Sequence, residues 1–502
     1  MHNADFSEPR KQELLGVAVI FADNLRKFGR AVFAIAVYAA FQNSMMPYLI
    51  GSVVIGLVFI AILTWLQYTR FVFYVKDRQL IINKGVFTRE RIAIPFERIQ
   101  TVHLHQNVIQ QLIKLTGVKV DTAGSKGSEL EIKALTKKDA LALQEILEAD
   151  KSIAEAAQDG AVSLDGQVIV PHAKEKKEML VTLSKWQLFQ VGLTQNHLRN
   201  GFIALGVLWG WAAQFNFFSD DEMEAELGRY ATEGIQWGMY MITAGIVIFV
   251  IGSMIISMVQ SVLKYFNLKA YLSAKAVHVN SGLLKRNEYT IPIQKIQFID
   301  WYDNFLRRIP GFEMVRIYQG QSENSEAKQG VEIPACYEHQ TGQIMNSLFP
   351  EHQEVEHEFE LGVHWTQFMV LSLVFTIPAL IGFGIVAYFS GELKYLLILL
   401  AYIPLVILFA WKYYKSVRLY TNGEILIYTR GWLFTQRTVL KLVKVQNVEF
   451  SQTIFQRRRG TAHLFLHTAA GSRSVRFLPV DVVKQFHQYL LYRVETFHGS
   501  WM

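Results

Sequence analysis

Residues 94–102 read IPFERIQTV, and residues 291–299 read IPIQKIQFI. Isoleucine, proline, two free positions, a base, isoleucine and glutamine recur in one order. Gln100 and Gln297 lie 197 positions apart, and a further 149 positions lead to Gln446 in Lys-Val-Gln-Asn-Val. The same two offsets carry Gly85 to Gly282 and Gly431, and Arg98 to Lys295 and Lys444. They also carry Val118 to Val315 and Leu464, Val120 to Ile317 and Leu466, and Thr122 to Gln319 and Thr468. Matches at fixed offsets all the way from Gly85 to Thr122 mark a unit written three times. The copies are not identical. Lys441 replaces Pro95 and Pro292, and Lys114 replaces Gly311 and Gly460.

Inside a copy the period is two. Phe71–Val75, Gln79–Asn83, Arg89–Ile94, Ile99–Leu104, Val118–Thr122 and Glu129–Ile132 read as short strands, with Lys84-Gly85 as a hairpin turn. A closing helix follows, with Thr136 as N-cap and Ala140, Leu141, Leu143, Ile146 and Leu147 at helical spacing. Its counterparts fall near Tyr337–Leu348 and Val482–Val494. Short antiparallel strands capped by one helix predict a small open barrel or bent sandwich.

Each copy is preceded by apolar chain. Of 502 residues 51% are hydrophobic and only 19% charged. That balance is tilted toward lipid. No Asp, Glu, Lys or Arg occurs from Ala31 to Thr69. One membrane span needs about 20 residues, so this stretch is too long for one and right for two. A break is expected at Asn43–Pro47, with the first span reaching back to Leu25 and Lys27 and Arg30 snorkelling to the interface. Asn200–Ser219 and Gly234–Leu263 form a second pair, and Leu361–Gly391 and Tyr395–Trp411 a third. The prediction is an α+β membrane protein with six transmembrane helices in three hairpins, each followed by a β-rich domain with a C-terminal helix.

The expected partition is an N-terminal segment 1–24, a hairpin 25–67 and a domain 68–150. A linker 151–198 leads to a second hairpin 199–263, with an acidic outer loop 220–233, and a domain 264–350. A linker 351–364, a third hairpin 365–411 and a domain 412–496 complete the chain. The loops inside the hairpins are poor in Lys and Arg, whereas Arg70, Lys264, Lys269, Lys412, Lys415 and Arg418 flank the other side. The positive-inside rule then places both termini and all three domains in the cytoplasm. A single cysteine, Cys336, excludes an internal disulfide framework and suits that compartment.

The strand–Gly–strand opening, the I-P-x-x-[RK]-I-Q box, the Thr122-Ala123-Gly124 turn and the closing helix resemble the YdbS-like bacterial PH domain family. Three domains after paired spans most resemble its longer, YdbT-like branch. The resemblance implies a pleckstrin-homology-like fold in each domain, a bacterial inner-membrane address, membrane lipids as neighbours, and pairing with a shorter single-domain relative. Homo- or hetero-oligomers stay open. It implies no catalytic activity and no cofactor.

Two readings attach to the repeated signature Arg98, Gln100, Lys295, Gln297, Lys444 and Gln446: a groove for headgroup phosphates, or a corner of the fold. Arg307-Arg308 and Arg457-Arg458-Arg459 stand at equivalent places and suit anionic lipid better than nucleic acid, since the domains are tied to a membrane. His103 and His105 share a strand face, but no third ligand accompanies them, so no metal site is assigned. Gly124-Ser125-Lys126-Gly127-Ser128 lacks phosphate-loop spacing and reads as a hairpin turn. No G-x-S-x-G, H-E-x-x-H or Cys/His pairing is present. The expected function is a non-enzymatic scaffold presenting its domains for protein or lipid binding and envelope assembly, in envelope stress or resistance to membrane-active peptides. The alternative is a transporter or lipid-handling channel gated by the domains.

Overall fold

The computed structural model describes residues 6–40, 46–122, 130–158, 178–195, 197, 201–203, 205–206, 235–274, 276–320, 330–350, 360–391 and 393–496. The chain forms two compact units, residues 1–274 with 278–290, and residues 275–277 with 291–502. The boundary runs through the middle copy.

In the first unit, β1 (Arg10–Lys11) precedes helices α1 (Gly16–Ala40) and α2 (Met46–Arg70). Copy one follows as β2 (Val72–Lys76), β3 (Gln79–Lys84), β4 (Glu90–Pro95), a 3-10 turn Phe96–Arg98, β5 (Ile99–Gln106), α3 (Val108–Leu112), β6 (Leu115–Thr122), β7 (Leu130–Thr136) and α4 (Lys137–Gln158). Thr136 caps α4, its hydroxyl accepting from the Asp139 amide at 3.1 Å. Phe73, Leu80, Ile82, Val102, Val118, Ile132, Leu143 and Leu147 form one core between the two sheets and α4, which is the expected bent sandwich. The unit continues with β8 (Glu178–Thr182), α5 (Lys185–Leu193), α6 (Ile235–Tyr265), β9 (Lys269–Leu272), β10 (Ala276–Ser281) and β11 (Arg286–Pro292).

The second unit holds β12 (Ile296–Asn304), α7 (Phe305–Arg308), β13 (Phe312–Gln319), β14 (Val331–Tyr337) and α8 (Glu338–Leu348). Then come β15 (Glu360–Gly362), α9 (Thr366–Ser390) and α10 (Ile398–Ser416). Copy three closes it with β16 (Arg418–Thr421), β17 (Ile425–Arg430), β18 (Phe434–Lys441), a 3-10 turn Leu442–Lys444, β19 (Val445–Ser451), α11 (Ile454–Arg458), β20 (Thr461–Thr468), β21 (Gly471–Pro479) and α12 (Val480–Thr496). Leu419, Leu426, Leu440, Val445, Leu464, Leu466, Val475 and Leu490 make the matching core.

Two features of the topology were not legible in the sequence. First, a short strand lies ahead of each membrane segment and pairs with the first strand after it: β1 with β2, β8 with β9, β15 with β16. The N-terminal segment is therefore no tail. Phe6 is buried and Arg10 pairs across from Phe73. Second, sheets run from one copy into the next. The order β7-β6-β5-β11-β10-β9-β8 joins copy one to the first strands of copy two, and β14-β13-β12-β18-β17-β16-β15 joins the last strands of copy two to copy three.

Four described helices are long and apolar enough to cross a membrane: Gly51–Arg70, Thr243–Tyr265, Thr366–Phe389 and Ile398–Ser416. Six spans in three hairpins are therefore not reached among the described residues. Helix α1 starts at Gly16, not Leu25, and its first turns belong to copy one. The Glu13 amide donates to the Ala134 carbonyl, and Asp23 pairs with Lys133 at 2.5 Å. Asn24 donates to Thr64 and Gln67 of α2, so the two helices pack against each other. Most of the expected span Asn200–Ser219, and the acidic loop 220–233, lie outside the described residues. The third hairpin agrees with its expected turn, with Gly391 ending α9 at φ +70°. It starts later than Leu361 because Leu361 pairs with Leu419 in a strand.

Candidate binding surface

The repeated box is a corner. Its proline or lysine ends the first sheet, its middle residues make one 3-10 turn, and isoleucine or valine opens the second sheet: Phe96–Arg98, Ile293–Lys295, Leu442–Lys444. Equivalent backbone bonds tie the outer copies' corners to the preceding hairpin, Phe96 N–H to Arg78 and Leu442 N–H to Glu424, at 3.0 and 2.8 Å. Arg98, Lys295 and Lys444 each close a turn. Arg98 is exposed and the two lysines are half-buried. Burial first, and Lys441 second, hold the Lys444 ammonium below its ordinary value.

The glutamines behave differently. The side chain of Gln100 lies outside the described residues. Gln297 is buried and its amide reaches the Lys295 carbonyl at 3.4 Å. Gln446 is exposed. Each base closes the turn at the corner of its own copy, and Arg98 is exposed there.

The arginine clusters sit on the short helices α7 and α11. Arg307 is buried, and its guanidinium lies 3.5 Å from the Tyr302 carbonyl. Arg308 binds Asp303 at 2.5 Å and donates to the Trp432 carbonyl at 3.1 Å and the Thr435 hydroxyl at 2.6 Å. Both are thus engaged in protein contacts. Arg457 and Arg458 are exposed. Arg459 lies over the Trp365 ring at 5.7 Å and donates to Met369 Sδ at 3.4 Å, at the start of the apolar helix α9. Of the two clusters, the second lies beside the start of an apolar helix.

His103 and His105 each meet one carboxylate, Asp121 at 3.5 Å and Glu131 at 3.0 Å. No group of three metal-ligating side chains occurs among the described residues. Cys336 is buried, and burial pushes its thiol far above the ordinary range.

The short helices escaped the strand reading, although a local signal marks them. Asn107 and Gln110, and Thr453 and Gln456, form reciprocal capping boxes, and Asn304 accepts from the Arg307 amide. The three caps are spaced by the repeat offsets.

A Bacterial PH domain family model matches residues 28–151, 202–350 and 372–494. The chain belongs to the bacterial PH domain family. The first and third matches begin within α1 and α9, and all three end in or just after a closing helix. Among proteins similar to this chain is the UPF0699 transmembrane protein YdbT of Bacillus subtilis (strain 168). It is 23% identical over 428 residues, which cover 81% of this chain and 82% of that protein. This bacterial PH domain protein is therefore a membrane protein that carries the domain three times.

Proposed function

We propose that the chain is a non-enzymatic scaffold of the bacterial inner membrane. Its hairpins hold three PH-like domains on the cytoplasmic face, where they bind proteins or lipid headgroups and organise an envelope complex. The observation that carries this reading is the pairing of each leading strand with the strand after its membrane segment. Chain that leaves a sheet and returns to the same sheet crosses a bilayer an even number of times. Each domain thus stays on the side from which its hairpin departs.

Lys264, Lys415 and Arg70 at the ends of α6, α10 and α2 favour the cytoplasm as that side. Arg457, Arg458 and Arg459 supply a basic patch for anionic headgroups, at about 1 kcal/mol per base near the surface. A lone thiol held protonated by burial argues against cysteine catalysis. A role in envelope stress or resistance to membrane-active peptides, with a shorter single-domain relative as partner, fits a scaffold of this kind.

The test is capture of the full-length chain from native membranes in mild detergent, followed by mass spectrometry of proteins and lipids. Stoichiometric co-purification of another envelope protein or an enriched anionic lipid is expected. A chain recovered with bulk lipid and no partner contradicts the proposal.

A further inference from the structure

The two sheet junctions use one register. Leu104 pairs with Glu288, His105 with Asn287 and Gln106 with Arg286. Moving each residue by its repeat offset gives Trp301 with Arg437, Tyr302 with Gln436 and Asp303 with Thr435, which are the pairs formed by β12 and β18. The contacts around the ladders are equivalent too. Gln111 of α3 donates to the Leu283 and Leu284 carbonyls at the tip of the next copy's hairpin. Arg308 of α7, its counterpart, donates to the Trp432 carbonyl at the next tip.

Among the described strands one edge of each kind is left over. The sheet β19-β20-β21 ends at β19, the counterpart of β5 and β12, and the sheet β1-β2-β3-β4 ends at β4, the counterpart of β11 and β18. Burial shows what β19 lacks. Asp300 is fully buried in the β12 ladder, and Phe298 and Trp301 beside it are buried too. Their counterparts Glu449, Asn447 and Phe450 are exposed. In copy one the pair His103–Asp121 is covered by the ring of Tyr289, directly opposite His103 on β11 at 5.5 Å. In copy three the same pair recurs with its charges exchanged, His467–Glu449 at 3.6 Å, and the Glu449 side chain is 62% exposed. Ile454 and Phe455 of α11 and Phe87 at the copy-one hairpin tip are likewise bare.

The geometry points to a third junction made between molecules: β19 of one chain adds to β4 of a second copy. The occupant follows from the pattern, because β4 is the strand type that β5 and β12 already accept. The shared register sets Phe450 opposite Arg91, as Trp301 stands opposite Arg437. It sets Ile92 over the Glu449–His467 pair, where Tyr289 stands over His103–Asp121. Arg457 meets the carbonyls at Val86 and Phe87. Strand addition at a sheet edge supplies main-chain hydrogen bonds and removes an edge open to promiscuous pairing. The contact is head-to-tail, so it builds rings or rows rather than a twofold dimer. This inference rests on the assembly reading above in taking the domains as parts to be joined.

The test uses full-length chain in membranes, with a short bifunctional thiol reagent. Buried Cys336 is shielded from it. Opposed side chains in an antiparallel pair have Cβ atoms about 5 Å apart. A mixture of Phe450→Cys chain and Arg91→Cys chain is expected to give a linked two-chain species that neither variant gives alone. Pairing Phe450→Cys with Ile92→Cys, one residue out of register, should cut the yield at least fivefold. Linkage confined to a single chain in the double variant overturns the second copy as occupant, as does linkage of Phe450→Cys to a different protein. No linkage at all, with partners still captured from mild detergent, overturns this junction and leaves the scaffold reading standing.

Discussion

Asp300 accepts a hydrogen bond of 2.6 Å from the Thr438 hydroxyl directly opposite it on the next copy's strand. The carboxylate also receives the Arg473 guanidinium at 2.6 Å and the Tyr302 hydroxyl at 2.9 Å, and its side chain is fully buried. A charge without water is tolerable only when its lone pairs are filled, and here two consecutive copies fill them.

Asp300→Ala strands the Arg473 guanidinium and is expected to cost about 3 kcal/mol or more, the scale of a broken buried pair. Thr438→Val removes one neutral donor and is expected to cost about 1 kcal/mol. Thermal unfolding of the detergent-solubilised chain, followed by tryptophan fluorescence, reads both as lowered midpoints. Equal effects would contradict the assigned roles.

Lys114 sits in the left-handed region at φ +56°, where the other copies have Gly311 at +75° and Gly460 at +64°. A side chain there costs roughly 1–2 kcal/mol. Lys114→Gly is expected to raise the unfolding midpoint. Gly460→Ala should lower it by about the same free energy, since a Cβ at Gly460 meets nothing within 4 Å.

Gly431→Ala should be much worse than Gly460→Ala. A Cβ at Gly431 would lie 1.9 Å from the Phe434 carbonyl oxygen, the same clash that Gly85 and Gly282 face at Thr88 and Lys285. Yield of folded protein in membranes separates the two substitutions, with Gly431→Ala lost and Gly460→Ala retained.

Much of this plan could be read from the chain because it is local. The glycine turns, the corner and the alternating strands depend on side chains a few positions apart, and threefold repetition multiplies each weak signal. What escaped was tertiary. A leading strand as short as Arg10–Lys11 has no pattern of its own, and only β2 makes it a strand. The junction partners of Trp301 and Asp300 lie far along the chain, at Arg437 and Thr438, so burial of an aspartate reads in sequence as a solvated charge. Arg307 and Arg308 looked like lipid contacts for the same reason. Their acceptors, the Tyr302 and Trp432 carbonyls, carry no sequence mark.

Copy three should weaken in acid. His463 Nδ1 accepts from the Phe477 amide at 3.2 Å, which the protonated ring cannot do. Burial first, and Arg476 second, hold its pKa below the ordinary 6.5. Below pH 6.5 the unfolded chain gains a proton that the folded ring resists, so this contribution is present above 6.5 and is lost as pH falls through the folded value. His463→Gln should flatten the fall of the unfolding midpoint as pH drops below about 6.5. An unchanged slope would show that His463 is not the titrating group.

The central claim is that three copies of one module hang on the same, cytoplasmic side of the membrane. Single cysteines at Glu145, Gln343 and Gln485, exposed positions on the three closing helices, test it directly with a membrane-impermeant maleimide. All three should label in inside-out vesicles and none in right-side-out vesicles. Labelling of any one from the outer side while another labels from the inner side would contradict the account.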